Sequence, residues 1–110
     1  MPTKVPAHIR KLMKEFKEGL VRIYGDRLKG VYLYGSYARG DYRDGSDVDV
    51  MIVLDNYASY GKEIDKTGEL NSGLSLQYGI SISRVIIKEM QWQGGETPLL
   101  LNIHMDGIAA

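Results

Sequence analysis

Residues 47–54 read DVDVMIVL, opening with acid–apolar alternation and closing as an unbroken apolar run. Alternation marks a strand with one polar face, and the unbroken apolar half marks a strand covered on both faces. A covered strand needs helices to cover it, and a chain of 110 residues suits one domain spanning 1–110. The expected fold class is therefore α/β (α+β), a small mixed β-sheet with helices packed on one side.

Other segments supply the remaining elements. After Pro6, the residues Ile9, Leu12, Met13, Phe16, Leu20, Ile23 and Tyr24 recur at helical spacing, with Gly25 as a stop. Proline suits the first turn of such a helix, where its missing N–H costs nothing. Residues 31–34 (VYLY) form a short β-prone run ending at Gly35. Residues 60–78 read as a second helix, weakened by Gly61, Gly68 and Gly73. Residues 80–87 (ISISRVII) read as a strand with Ile80, Ile82 and Arg84 on one face. A helical turn over 88–93, a Gly94-Gly95 loop and a short helix around 99–104 complete the order.

Between the first two strands lies GSYARGDYRDGSDVD, residues 35–49. A strand repeats every two residues, so Asp47 and Asp49 share a face while Val48 points away. Two stacked carboxylates repel unless a cation lies between them, and hard oxygen ligands suit Mg²⁺. Gly35 permits unusual dihedrals and close approach of a phosphate. A short helix opening at Ser36 would present free N–H groups to an anion. The Ser36 hydroxyl and Arg39 guanidinium add direct phosphate contacts, and Ser46 either orients the strand entry or makes a further one. Tyr37 and Tyr42 lie in the same loop, where they either border a nucleotide or pack.

This stretch resembles the minimal nucleotidyltransferases of the DNA polymerase β-like superfamily, whose signature is Gly-Ser, ten residues, then Asp-x-Asp. Gly35-Ser36 and Asp47-Val48-Asp49 match that spacing. The tail around Pro98-Leu99 and Asn102-Ile103, ending Asp106-Gly107-Ile108, is similar to the closing segment of bacterial members paired with HEPN toxins. The resemblance implies a nucleotidyltransferase fold with Gly35 and Ser36 holding the phosphates of a nucleoside triphosphate. It makes Asp47 and Asp49 the catalytic and metal-binding pair, holding two Mg²⁺ about 3.5–4 Å apart. The implied reaction transfers AMP from ATP to a hydroxyl, a tyrosine of a partner HEPN toxin, with this chain as antitoxin. The family's third carboxylate belongs on a later strand, yet residues 80–87 contain no acid, and Ser81 stands at the expected position. Glu63, Asp65 and Glu69 are the nearby acids that would have to replace it. A second reading follows: an antitoxin of the same fold that is catalytically weak or inactive and neutralises the toxin by binding alone.

Composition narrows the alternatives. The chain has no cysteine, which excludes disulfides and thiolate metal sites, and His8 and His104 are too few for a zinc site. No signal peptide or apolar run near 18 residues is visible, so a cytoplasmic address without membrane association is expected. Net charge is zero, yet residues 1–30 carry eight Lys or Arg against three acids, and residues 41–69 the reverse, eight acids against three. A basic first helix beside an acidic loop either steers a polyanion or is simply solvated. No second basic region exists to hold duplex DNA. Trp92 reads as a packing or partner contact, and a homo- or hetero-oligomer is compatible with the short chain.

Overall fold

A computed structural model describes residues 5–110; Lys4, counted in the basic segment, lies outside them. The first helix, α1 (Ala7–Tyr24), begins one residue after Pro6, which occupies the N-cap rather than the first turn. The Pro6 carbonyl accepts from the N–H groups of Ile9 and Arg10 at 3.1 Å each. Ile9, Leu12, Met13, Phe16, Leu20 and Tyr24 are buried as their spacing requires, while Ile23 falls beside the stripe and stays exposed. Gly25 ends the helix with φ 55°.

A single 3₁₀ turn leads into β1 (Leu28–Tyr34), followed by the one-turn helix α2 (Ser36–Arg39) and β2 (Val48–Leu54). Strand β1 starts earlier than the VYLY run because Leu28 is already paired with Leu54 of β2. The long α3 (Tyr60–Tyr78) is capped by the Ser59 side chain and ends at Gly79 in the left-handed region. Strand β3 (Ile82–Lys88) begins two residues later than its apolar run. The reason is local: Ile80 N–H bonds to the Ser75 carbonyl and Ser75 Oγ donates to the Ile80 carbonyl, so Ile80 belongs to the exit of α3. Short helices α4 (Glu89–Gly94) and α5 (Pro98–Asp106) follow, and a two-residue strand β4 (Ile108–Ala109) closes the fold. Two residues carry no periodicity, so β4 has no sequence signal.

The sheet order is β3-β2-β1-β4, with β2 and β3 parallel and the other pairs antiparallel. This is the expected small mixed sheet. Val48, Val50, Ile52 and Leu54 point to the face covered by α1 and α3, where the main core forms. The two long helices thus lie on one side. Met51 and Val53 point to the other face, against Leu100 and Ile103 of α5 with Trp92 of α4 beside them. This thin second layer accounts for the unbroken apolar half of β2. Trp92 is a packing residue, stacked on His104 at 3.6 Å between ring centres and tilted against Tyr32 at 4.7 Å.

Arg84 faces the α3 side, as the shared face with Ile82 requires, and donates to Thr67 Oγ1 (2.8 Å) and the Ile64 carbonyl (2.9 Å). Buried Glu63 accepts from Tyr24 Oη at 3.0 Å, tying α3 to α1. No described helix is long and apolar enough to cross a membrane.

Candidate active site

Because β1 and β2 are antiparallel, the end of one lies beside the start of the other, and Tyr34 pairs with Asp49. The chain then turns through Gly35 at φ 76°, ψ −155°, a conformation that L side chains rarely adopt. The space a Cβ would fill at Gly35 is occupied by the Asp49 carboxylate. Gly35 is therefore required twice, once by its dihedrals and once by its neighbour. Its carbonyl accepts from the N–H groups of Ala38 and Arg39 at 3.1 Å each. That leaves the N–H groups of Ser36 and Tyr37 without an intrahelical acceptor.

A cleft of about 370 Å³ opens here. Gly35, Ser36, Arg39 and Asp49 form one wall, Tyr34 lies between, and Leu99, Asn102, Ile103 and Asp106 of α5 form the other. The Asp49 carboxyl is pushed above its ordinary range, chiefly by burial and then by the charge of Asp47, with Arg39 opposing. Tyr34 is pushed up as well, by burial first and then by Asp49. The site thus holds an uncompensated pair of hard oxygen donors. That donor set fits Mg²⁺, which accepts one or two carboxylates together with phosphate oxygens. Among the described residues, no group of three or more His, Cys, Asp or Glu is placed to hold a metal. The site offers a pair.

Four of the six residues singled out in the sequence meet in the cleft: Gly35, Ser36, Arg39 and Asp49. Asp47 is exposed just ahead of β2, at the rim, two residues from Asp49. Ser46 closes the loop instead of facing the cleft: its Oγ accepts from Arg43 N–H at 2.8 Å. Arg39 is held at 3.3 Å by Asp41, an exposed pair. Tyr37 is buried in the main core and stacks on exposed Tyr42, so the two anchor the loop and line no part of the cleft.

The β2–β3 register puts Ser83 beside Asp49 on the same face, whereas Ser81 precedes the strand and its carbonyl accepts from Val48 N–H at 2.9 Å. Neither position is acidic. Glu63 lies on α3, packed on the face opposite Asp49, and Asp65 and Glu69 are exposed on the same helix. None of the three lines the cleft. The basic residues of α1 do not reach it either; Arg10, Lys14 and Lys17 border a separate groove between α1 and β4. The solvated reading of that helix face is the one the geometry favours.

The α5 wall had only a weak sequence signal. Leu99, Asn102, Ile103 and Asp106 are spaced i, i+3, i+4 and i+7, one stripe of a helix, but the stripe mixes apolar and polar residues and stands 50 residues or more from Asp49.

A Gly-Ser turn at one strand end, backed by an Asp-x-Asp at the start of the adjoining strand, is the arrangement in which the chain resembles nucleotidyltransferases. Comparison with known proteins agrees. The chain belongs to the family described as Nucleotidyltransferase domain, which it matches over residues 13–104. A protein of Methanocaldococcus jannaschii bearing the provisional name protein adenylyltransferase MJ0141 is 44% identical over 81 residues, covering 74% of this chain and 81% of that one. A second from the same organism, provisionally named protein adenylyltransferase MJ0604, is 39% identical over 79 residues, 72% of this chain and 73% of that one. Among solved structures, a protein provisionally named minimal nucleotidyltransferase aligns with TM-score 0.64 at 19% identity, covering 92% of this chain and 91% of that one. A chain of a toxin–antitoxin structure with AMP-PNP aligns with TM-score 0.62 at 20% identity, covering 88% and 70%. A chain from the complex of tri-AMPylated Shewanella oneidensis HEPN toxin with MNT antitoxin aligns with TM-score 0.54 at 14% identity, covering 91% and 69%. These structural likenesses establish a shared fold.

Proposed function

We propose that this protein transfers AMP from ATP to a hydroxyl, a tyrosine of a partner HEPN-type toxin, and that it serves as that toxin's antitoxin. The observation that carries the reading is the packing of the Gly35 backbone against the Asp49 carboxylate, inside a cleft that also holds Ser36 and Arg39. Such a turn lets a triphosphate approach the backbone, with the Ser36 hydroxyl and the Arg39 guanidinium as donors to its oxygens. Asp47 and Asp49 would hold Mg²⁺, which supplies charge neutralisation on the phosphates when bound. The acceptor hydroxyl attacks the α-phosphorus, the bond from that phosphorus to the α,β-bridging oxygen breaks, pyrophosphate leaves with the bond's electron pair, and the hydroxyl proton passes to solvent water. The protein relatives named as adenylyltransferases and the toxin-bound structural neighbours support a protein acceptor.

A second reading has its own observation. Ser83 of β3 stands beside Asp49, and Ser81 just ahead of the strand bonds to Val48, so no third carboxylate reaches the Asp pair from β3. An antitoxin that acts by binding alone is consistent with that. Label transfer from isotopic ATP with Mg²⁺ into proteins of the host lysate separates the two readings. A labelled band seen with the wild type and lost with Asp49→Asn is expected. Equal labelling by the Asp49→Asn protein would sink the mechanism, and capture of an unlabelled partner would favour the second reading.

A further inference from the structure

We infer that the cleft-facing stripe of α5 is the nucleoside half of the site, with Asp106 accepting hydrogen bonds from ribose hydroxyls and Leu99 and Asn102 holding the base. The inference rests on the nucleotidyl-transfer reading above and extends it to recognition of the sugar. Its starting point is the division of the cleft into two chemically unlike walls. The wall made by Gly35, Ser36, Arg39 and Asp49 offers a backbone without a side chain, a hydroxyl and a cation, suited to phosphate oxygens, beside one carboxylate of the metal pair. The α5 wall offers an exposed leucine (43%), an amide and a carboxylate.

A carboxylate beside a triphosphate repels it unless a cation is shared, as at Asp47 and Asp49; Asp106 joins no such metal-holding group among the described residues, so it suits the uncharged half of a nucleotide. There, vicinal hydroxyls donate and an ionised carboxylate accepts. The Asp106 side chain makes no hydrogen bond or ion pair with any described residue. It also ends a helix, where the dipole disfavours negative charge. Asn102, likewise exposed on the same stripe, carries both donors and an acceptor, which match the mixed edge of a base. Leu99 supplies apolar surface for the ring. The cleft volume falls within the span typical of small-ligand sites, roughly 300–1,000 Å³.

The test is equilibrium binding of three probes to the intact protein with Mg²⁺: a non-hydrolysable ATP analogue, its 2′-deoxy counterpart and inorganic triphosphate. The wild type is expected to favour the ribonucleotide. Asp106→Ala should lose about tenfold for the ribonucleotide, as for a hydrogen bond to a charged group, lose less for the 2′-deoxy counterpart, which keeps its 3′-hydroxyl, and leave inorganic triphosphate unchanged. Asn102→Ala should weaken both nucleotides and spare triphosphate, whereas Ser36→Ala should weaken all three. Asp106→Asn provides an isosteric second variant, expected to lose less than Asp106→Ala. An equal loss for all probes in Asp106→Ala would place Asp106 on the phosphates, and a uniform gain would make it a mere source of repulsion; either overturns the inference. Undiminished ribose preference overturns it too. A wild type that binds none of the probes removes the nucleotidyl-transfer reading itself, and one that binds triphosphate without ribose preference removes only the α5 assignment.

Discussion

At the residue scale the site turns on the close approach of Gly35 to Asp49. A Cβ at Gly35 would collide with the Asp49 carboxylate while forcing a non-glycine residue to φ 76°. Gly35→Ala should therefore cost about 1–3 kcal/mol in a urea melt and remove nucleotide binding. The tension at Asp49 is electrostatic. Its folded-state pKa lies above the ordinary 3.8, because burial and Asp47 both disfavour the charge. A raised carboxyl stabilises the fold only where it is protonated, and that contribution is lost as pH rises through the folded-state pKa. Asp49→Asn should accordingly melt higher than wild type at pH 7 without metal, with the gap closing as pH falls below the ordinary carboxylate value. Mg²⁺ should raise the melting temperature of the wild type but not of the variant. Thermal melts across pH, with and without Mg²⁺, check both statements. The Gly-Ser and Asp-x-Asp halves of this site were legible because their spacing ties a turn to a strand over ten residues. Asp106 was not, because nothing in a linear chain shows that the end of α5 faces a turn 70 residues earlier.

At the element scale the glycines of the two long helices act in opposite ways. Gly68 and Gly73 weaken the sequence case for α3, and a Cβ at either would meet nothing within 4 Å. Each substitution to Ala should stabilise the protein by about 0.5–1 kcal/mol, additively, since a helix-interior glycine is penalised mainly by backbone entropy. Gly19 of α1 is different. The place its Cβ would take is filled by the end of the Leu70 side chain, so α3 packs a leucine directly onto the bare backbone of α1 there. Gly19→Leu should cost about 1–3 kcal/mol through overpacking, read as a lower urea midpoint at unchanged slope. The helix stripe of α1 and the apolar half of β2 were readable because periodicity reports burial. The Gly19–Leu70 approach was not, since it depends on the fit between two surfaces. The late start of β3 was hidden for a related reason: the hydrogen bonds of Ser75 with Ile80 outweigh the β-propensity of Ile80.

At the scale of the whole molecule, the sheet carries two layers of unequal depth. The face against α1 and α3 buries most of the core. The face against α4 and α5 rests on Met51, Val53, Leu100 and Ile103, with the Trp92–His104 stack and its 2.8 Å bond from the ring to the Trp92 carbonyl. Beyond these, α5 is fastened by the Thr97 cap at its start and by β4, two residues long, at its end. Elements with fewer buried contacts open locally at lower free energy than the main core. The thin layer is also the one that supplies half of the cleft, so a ligand bridging Ser36 and α5 joins the weak layer to the strong one. Amide hydrogen exchange should find residues 99–106 opening faster than α1 and β2 in the free protein. An ATP analogue with Mg²⁺ should slow their exchange by about the factor 1 + [L]/Kd if their opening abolishes binding. Inorganic triphosphate, which reaches only the Gly35–Arg39 wall, should slow α2 and leave 99–106 nearly as fast as before. Equal protection of α5 by both ligands would mean that the triphosphate itself draws the two layers together. In that case closure, and not contact with the nucleoside, would be the role of the second layer.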